Sequence, residues 1–231
     1  MSETDRITRA YKEIEDRGGS RWDLRNRGNQ SILAERRRLT RAVLQRKGWV
    51  PLADRRVLEV GSGGGGELAW LQELGASASH LVGVDLLPDR VAAARNAYPD
   101  IEFNAGNAEH LSFPDGSFDV VLAITVFSSI FDPVMAANVA GEIERVLRPG
   151  GALLWYDFRY DNPSNRDVHA VREQEVRKLF PGLEGELHGL TLLPPVARRL
   201  GPMTTVAYPV LSRIPPLRSH LLGLLQKPPS N

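Results

Sequence analysis

A short apolar run that empties into glycines constrains this chain more than any other feature. Val57, Leu58, Glu59 and Val60 lead straight into Gly61-Ser62-Gly63-Gly64-Gly65-Gly66. Arg56 to Val60 reads as a short buried strand, and Glu67 to Leu74 reads as a helix stopped at Gly75. A glycine turn between strand and helix sits at the carboxyl end of the strand, where open α/β sheets bind their ligands. Glycines at 61, 63 and 65 let backbone come closer to a ligand than a Cβ permits. Gly61, Gly63 and Gly66 also satisfy G-x-G-x-x-G, which by itself is a weak signal.

The rest of the chain repeats the theme. Leu81 to Val84 is a second strand ending at Asp85, Ile101 to Asn104 a third, Phe118 to Val126 a fourth and Ala152 to Phe158 a fifth. Pro88 to Ala97 reads as a helix, and Asp132 caps another from Pro133 to about Leu147. Near-continuous apolar strands alternating with helices predict a doubly wound, mostly parallel sheet. After residue 160 the pattern changes. A helix over Val168 to Phe180 precedes two strands, Glu186 to Leu193 and Ser219 to Leu225, which bracket a proline-rich insertion from Pro194 to Leu217. The reading is one seven-stranded α/β domain over residues 1–231, with a helical cover at 1–50, a ligand-binding core at 55–160 and a C-terminal part at 161–231. The prolines of the 194–217 insertion argue against one long amphipathic helix. A lid or packing role is expected of it; contact with a membrane surface is the alternative, since it is apolar and carries Arg198, Arg199 and Arg213.

Composition narrows the classes. Cys is 0, which excludes disulfides and thiolate-held zinc. The charged start, MSETDRITRAYKEIEDRGG, lacks the apolar core of a leader, and no apolar run reaches the roughly 20 residues that span a bilayer. A cytoplasmic protein is expected. A net charge of +1 gives no general pull toward nucleic acid, and no stable nucleic-acid partner is expected. Arg36, Arg37, Arg38, Arg41, Arg46 and Lys47 form a basic run, expected to be the solvated face of a helix with Leu33, Leu39, Val43 and Leu44 behind it. The histidines at 80, 110, 169, 188 and 220 show no ligand spacing, so no metal is expected.

Three positions speak to the ligand. Glu59 sits at the end of the first strand, where a carboxylate suits a cation and repels a pyrophosphate. Asp85 ends the second strand, where it can accept both ribose hydroxyls of a nucleoside. Asn107 follows the third strand and carries an acceptor for an adenine amino group and a donor for a ring nitrogen.

Taken in order, VLEVGSGGGG, GVD, GNAEHLSFPDGSFDVV and RVLRPGG resemble the class I S-adenosylmethionine-dependent methyltransferases, and within them the type 11 small-molecule group. The resemblance covers about residues 55 to 160. It implies S-adenosylmethionine as cofactor, with Glu59, Gly61, Ser62, Gly63 and Gly65 at its methionine end. Asp85 would take the ribose, Leu86 the adenine face, and Asn107 and Ala108 the adenine edge; Tyr11 and Thr125 complete the set. Asn107 stands where Asp is commoner. The resemblance also implies a last strand antiparallel to its neighbour, and in-line methyl transfer to a small-molecule acceptor, expected in specialised biosynthesis. Such a transfer depends on orientation more than on acid–base chemistry.

The acceptor is expected beyond the fourth and fifth strands, at Phe127, Ser128, Phe158, Arg159 and Tyr160. Tyr156 and Asp157 are the acid–base candidates, although Asp157 is equally placed to pair with Arg159. Trp22, with Tyr11, is expected to close over the site from the N-terminal helices. Three rival readings stand beside the main one: an NAD-dependent oxidoreductase, a non-catalytic binder that kept the pocket, and an RNA methyltransferase using the basic helix. A homo-oligomer is left open.

Overall fold

The computed structural model describes residues 2–16, 23–161 and 165–230. Its five parallel strands are β1 (Val57–Val60), β2 (Leu81–Asp85), β3 (Glu102–Ala105), β4 (Phe118–Ile124) and β5 (Leu147–Phe158). Then come β6 (Leu187–Leu192) and β7 (Arg218–Gln226), with β7 antiparallel to both β5 and β6. The sheet order is β3-β2-β1-β4-β5-β7-β6. The chain reverses direction of travel between β1 and β4, so the loops after those strands flank one crevice. The doubly wound, seven-stranded reading is therefore the observed architecture, with the last strand antiparallel as expected.

Strand alternation divides the core. Leu58, Val60, Val121, Leu153 and Trp155 pack beneath α5 (Pro133–Val146) and α6 (Glu173–Leu179). Val57, Val120, Leu122 and Leu154 pack beneath α2 (Arg27–Arg46), α3 (Gly66–Leu71) and α4 (Pro88–Ala97). Burying both faces explains why these strands read as unbroken apolar runs. The N-terminal helix α1 (Glu3–Asp16) lies over the carboxyl ends of the strands, and its Ile7 joins the first of these cores.

Two elements differ from the sequence reading. The helix expected from 168 shortens to α6, because the N–H groups of His169, Ala170 and Val171 donate to Ser128 O, Asp161 Oδ1 and Phe158 O. Those bonds pin the segment to the ends of β4 and β5 before a helix can start. The strand expected to run to Val126 stops at Ile124, where Thr125 turns to φ 54°. The insertion, read from the sequence only as a lid or packing element, forms two short helices, α7 (Pro194–Arg199) and α8 (Thr204–Leu211).

The insertion packs against α2. Asn26 caps α2, its side-chain oxygen accepting the Gly28 and Asn29 N–H groups at 2.9 and 3.3 Å. Its amide nitrogen donates to Arg198 O on α7. Ile32, Leu192, Ala197 and Tyr208 form a buried cluster at this seam. Two of the consecutive arginines turn inward: Arg36 and Arg37 both meet the Glu67 carboxylate, at 2.5 and 3.2 Å. The basic run is therefore only in part a solvated face, with Arg38, Arg41 and Arg46 left exposed. Among the described residues, no helix is long and apolar enough to cross a membrane.

The helices α2 and α7 approach closely at Gly28, where a Cβ would stand 2.2 Å from the Ala197 carbonyl oxygen. Gly28→Ala is expected to force the two apart and cost about 1–3 kcal/mol, lowering Tm by several degrees. Thermal unfolding followed by circular dichroism measures it; an unchanged Tm would show that the seam yields freely.

Candidate cofactor and acceptor cavities

A cavity of about 610 Å³ opens at the carboxyl ends of β1, β2 and β4. Seven expected cofactor residues line it: Tyr11, Gly61, Asp85, Leu86, Asn107, Ala108 and Thr125. The glycine loop owes its shape to β2. The Gly61 and Ser62 N–H groups donate to Val84 O at 2.8 and 3.1 Å, and Gly63 N–H donates to Asp85 Oδ2 at 2.7 Å. The other oxygen of Asp85 accepts Leu87 N–H at 2.9 Å. Gly65 caps α3 at φ 78°, and a Cβ there would lie 2.4 Å from the Phe103 ring. Both conditions admit only glycine.

Glu59 lies in β1, just ahead of the glycine loop. It is buried beneath the loop on the α3 face, outside the cavity lining. Burial, then the neighbouring Glu67 charge, pushes its carboxyl well above the usual range, and one of its oxygens has no partner. Glu59 also meets the Leu68 N–H at the start of α3. Ser62 is likewise buried, with a hydroxyl that has no partner. The Asn107 amide is engaged within its own turn, accepting Glu109 N–H at 3.0 Å and donating to Glu109 Oε2 at 2.9 Å.

The cover is α1. Ile7, Tyr11 and Ile14, spaced to share one helix face, line the cavity. The Tyr11 hydroxyl lies 3.1 Å from Ser129 Oγ, and the Arg90 guanidinium lies 4.4 Å over the Tyr11 ring. At the other end of the helix, Glu3 accepts the Phe131 N–H while Arg6 donates to Ser129 O and sits 4.0 Å over the Phe131 ring. Arg6 holds the Glu3 carboxyl below the usual carboxylate range. Trp22 lies outside the described residues.

A second cavity, about 90 Å³, adjoins the first and shares Ile7, Tyr11, Ile14, Thr125 and Ser129 with it. Its own wall comes from Ser128, Phe158, the segment after β5 and the start of α7. Thr125, common to both cavities, holds a left-handed φ that a β-branched residue adopts at a cost of about 1–3 kcal/mol. Its N–H donates to Tyr156 O and its hydroxyl to Ile124 O, each at 2.7 Å.

With this geometry in view, residues 58–155 match the methyltransferase-domain family. That segment is similar to the class I S-adenosylmethionine-dependent methyltransferases. The chain is 42% identical over 118 residues to phthiotriol/phenolphthiotriol dimycocerosates methyltransferase 1 of Mycobacterium ulcerans, a match covering 50% of this chain and 41% of that protein. It is 41% identical over 113 residues to the fatty-acid O-methyltransferase of Mycolicibacterium smegmatis, covering 47% of this chain and 40% of that one. The chain thus matches about two fifths of the length of these curated relatives. In fold it resembles an S-adenosylmethionine-dependent methyltransferase from Mesorhizobium loti, with TM-score 0.60, 20% identity, and 77% and 93% of the two chains covered. It also resembles the [4+2]-cyclase SpnF, with TM-score 0.59, 20% identity, and 84% and 81% covered.

The residues lining the larger cavity fit S-adenosylmethionine. Asp85 keeps acceptor capacity beyond the two N–H groups it already binds, as a ribose diol requires. Leu86 and Ala108 give apolar flanks for a flat base, and a cavity of about 610 Å³ is ample for a nucleoside ligand.

The expected acceptor residues separate into two groups. Ser128 and Phe158 line the smaller cavity, but Phe127 is buried against Trp155 and Phe180 at 5.0 and 5.6 Å. Arg159 lies 4.8 Å over the Tyr160 ring instead of pairing with Asp157, and neither Arg159 nor Tyr160 lines a cavity. Tyr156 faces the opposite side of the sheet. It is 2% exposed, its hydroxyl lies 2.9 Å from Thr191 Oγ1, and burial pushes its phenol up, so it has no route to a reacting group. Asp157 is 1% exposed and accepts the Ser128 and Phe158 N–H groups at 3.0 and 2.8 Å. It positions the two residues that line the cavity. Arg90 and the α1 residues Ile7 and Ile14 lie outside the sequence expectation, though the spacing of Ile7, Ala10, Tyr11 and Ile14 carries that signal.

Two outcomes follow from this geometry. Asp85→Ala removes the ribose acceptor and the anchor of Gly63, and should weaken S-adenosylhomocysteine binding by about 1–3 kcal/mol in calorimetry; unchanged affinity would remove that assignment. Burial pushes Asp157 up to about 6, so the folded chain holds its proton at pH values where the unfolded chain has lost it. Stability from this group is full below its ordinary value and is lost as pH rises through about 6. The unfolding free energy of Asp157→Asn, relative to the parent chain, should therefore gain about 1–2 kcal/mol from pH 5 to pH 7.5. A flat difference would contradict the shift.

Proposed function

We propose that this chain is a methyltransferase that passes the methyl group of S-adenosylmethionine to an oxygen atom of a lipid-like small molecule. The observation that carries the reading is the wall shared by the two cavities. Ile7, Tyr11, Ile14, Thr125 and Ser129 border both, so a donor in the larger and an acceptor in the smaller would meet there. The relatives matched through the donor half are named for phthiotriol dimycocerosates and for fatty acids, and the latter for O-methylation. The apolar side chains of Ile7, Ala10, Ile14, Phe158 and Pro194 around the smaller cavity suit an acceptor of that kind.

When bound, the cofactor supplies an electrophilic methyl on a positive sulfonium. The chain contributes position. Asp85 and the glycine loop fix the donor, and α1 excludes water from above it. The Tyr11 and Ser129 hydroxyls, 3.1 Å apart on the shared wall, are placed to orient an acceptor oxygen. A fatty-acid carboxylate, the acceptor that one relative's name suggests, arrives ionised at neutral pH and needs no general base. The buried setting of Asp157 and the reversed face of Tyr156 agree with a reaction that uses none.

The test is transfer from methyl-labelled donor to a panel of fatty acids, long-chain alcohols, short polar acids and tRNA. Label is expected in organic-extractable products from the first two. Label in tRNA, or only in the short polar acids, would overturn the reading.

A further inference from the structure

The insertion presents an outer face that the cavities do not use. Helix α8 turns Thr204 and Tyr208 inward and leaves Met203, Val206, Val210 and Ile214 exposed by 61%, 69%, 58% and 42%. Met203, Val206 and Val210 fall at helical spacing along one stripe, and Ile214 follows just past the end of α8. Pro202, Pro209, Pro215 and Pro216 are exposed beside them. Single apolar side chains are ordinary on a surface, whereas a contiguous patch of this kind marks a site of contact.

The charge around the stripe says what the contact is. No Asp or Glu occurs after Glu186. Arg199 and Arg213, both exposed, stand just before and just after the stripe-bearing helix. We propose that this face docks on a lipid bilayer bearing anionic head groups, with the apolar stripe at the acyl boundary and the two arginines among the phosphates. A second copy of the chain fits poorly. A two-fold contact would bring each arginine rim against its equal, and the stripe offers roughly a few hundred Å², short of the about 800 Å² per partner of a stable interface. The same insertion gives Pro194 and Arg198 to the smaller cavity, so the docked face belongs to the acceptor side of the molecule. The docking stands on the surface itself and does not require that the acceptor be a lipid.

Co-sedimentation tests it, using phosphatidylcholine vesicles with and without roughly a third phosphatidylglycerol and no candidate acceptor. The parent chain is expected to sediment with the anionic vesicles, several-fold less with the neutral ones, and less again at about 0.5 M salt. Val206→Glu with Val210→Glu should reduce the bound fraction about tenfold. Arg199→Glu with Arg213→Glu should erase the preference for anionic vesicles. Both double variants should keep the parent's affinity for S-adenosylhomocysteine, which controls for folding. Equal sedimentation of the parent and the Val206/Val210 variant would overturn the proposal. So would failure of the parent to bind vesicles, or a dimer in sedimentation velocity that the same variant dissolves.

Discussion

The donor side depends on one carboxylate. Asp85 accepts an N–H from the glycine loop with one oxygen and an N–H from its own strand end with the other. Charge-assisted bonds to backbone are among the stronger ones available to a protein, and these two fix Gly63 against the end of β2. The Val84 carbonyl holds the preceding loop residues from the same strand. The loop therefore has its shape before any ligand arrives, and the group that would grip the ribose is the group that sets that shape. Preorganisation of this kind reduces the ordering that binding must impose.

The opposite face of the sheet is held by a different device, a buried polar network. Glu35 of α2 accepts the Thr191 N–H and the Tyr208 hydroxyl at 3.0 and 2.9 Å. Thr191 is bonded to Tyr156, and its carbonyl accepts the Ser219 hydroxyl at 3.0 Å. His220 stacks on Tyr156 at 4.6 Å, and burial together with Arg36 pushes its imidazole down to about 3. A neutral histidine is what such a setting requires, since a second cation beside Arg36 would go unpaired. The network joins α2, β5, β6, β7 and α8 through groups that water would otherwise compete for, so its value lies in specificity of arrangement.

This network explains where the sequence was readable and where it was not. The strands, the order of elements and Asp85 were legible, because apolar period and strand-end position are local properties. Tyr156 and Asp157 were not separable by sequence. Both are polar groups at the end of an apolar strand, and alternation shows only that they point to opposite faces. Which face holds the cavity depends on where α1 and α2 pack, which is decided far away in the chain. The surroundings of Glu59 were equally hidden, since they include Arg36 of α2 and Glu67 of α3. The left-handed turn at Thr125 has no local signal, since nothing in a β-branched residue predicts it.

The two cavities also divide the molecule by origin. Residues 58–155 match the family, and they contain the glycine loop, Asp85, Leu86, Asn107, Ala108 and Thr125. The smaller cavity draws on that region for Thr125, Ser128 and Ser129, while Arg6, Phe158, Asn165, Asp167, Pro194 and Arg198 lie outside it. A chain built this way can keep its donor chemistry while the helices and loops around it change what is brought to the methyl group. A neighbour in fold that is a cyclase shows that this scaffold also accommodates other chemistry. Under the proposed reading, specificity would be sought in α1, the segment after β5 and α7, where only Ile7, Tyr11 and Ile14 also line the larger cavity. Those few residues border both cavities, and through them a change on the acceptor side would be felt by the cofactor.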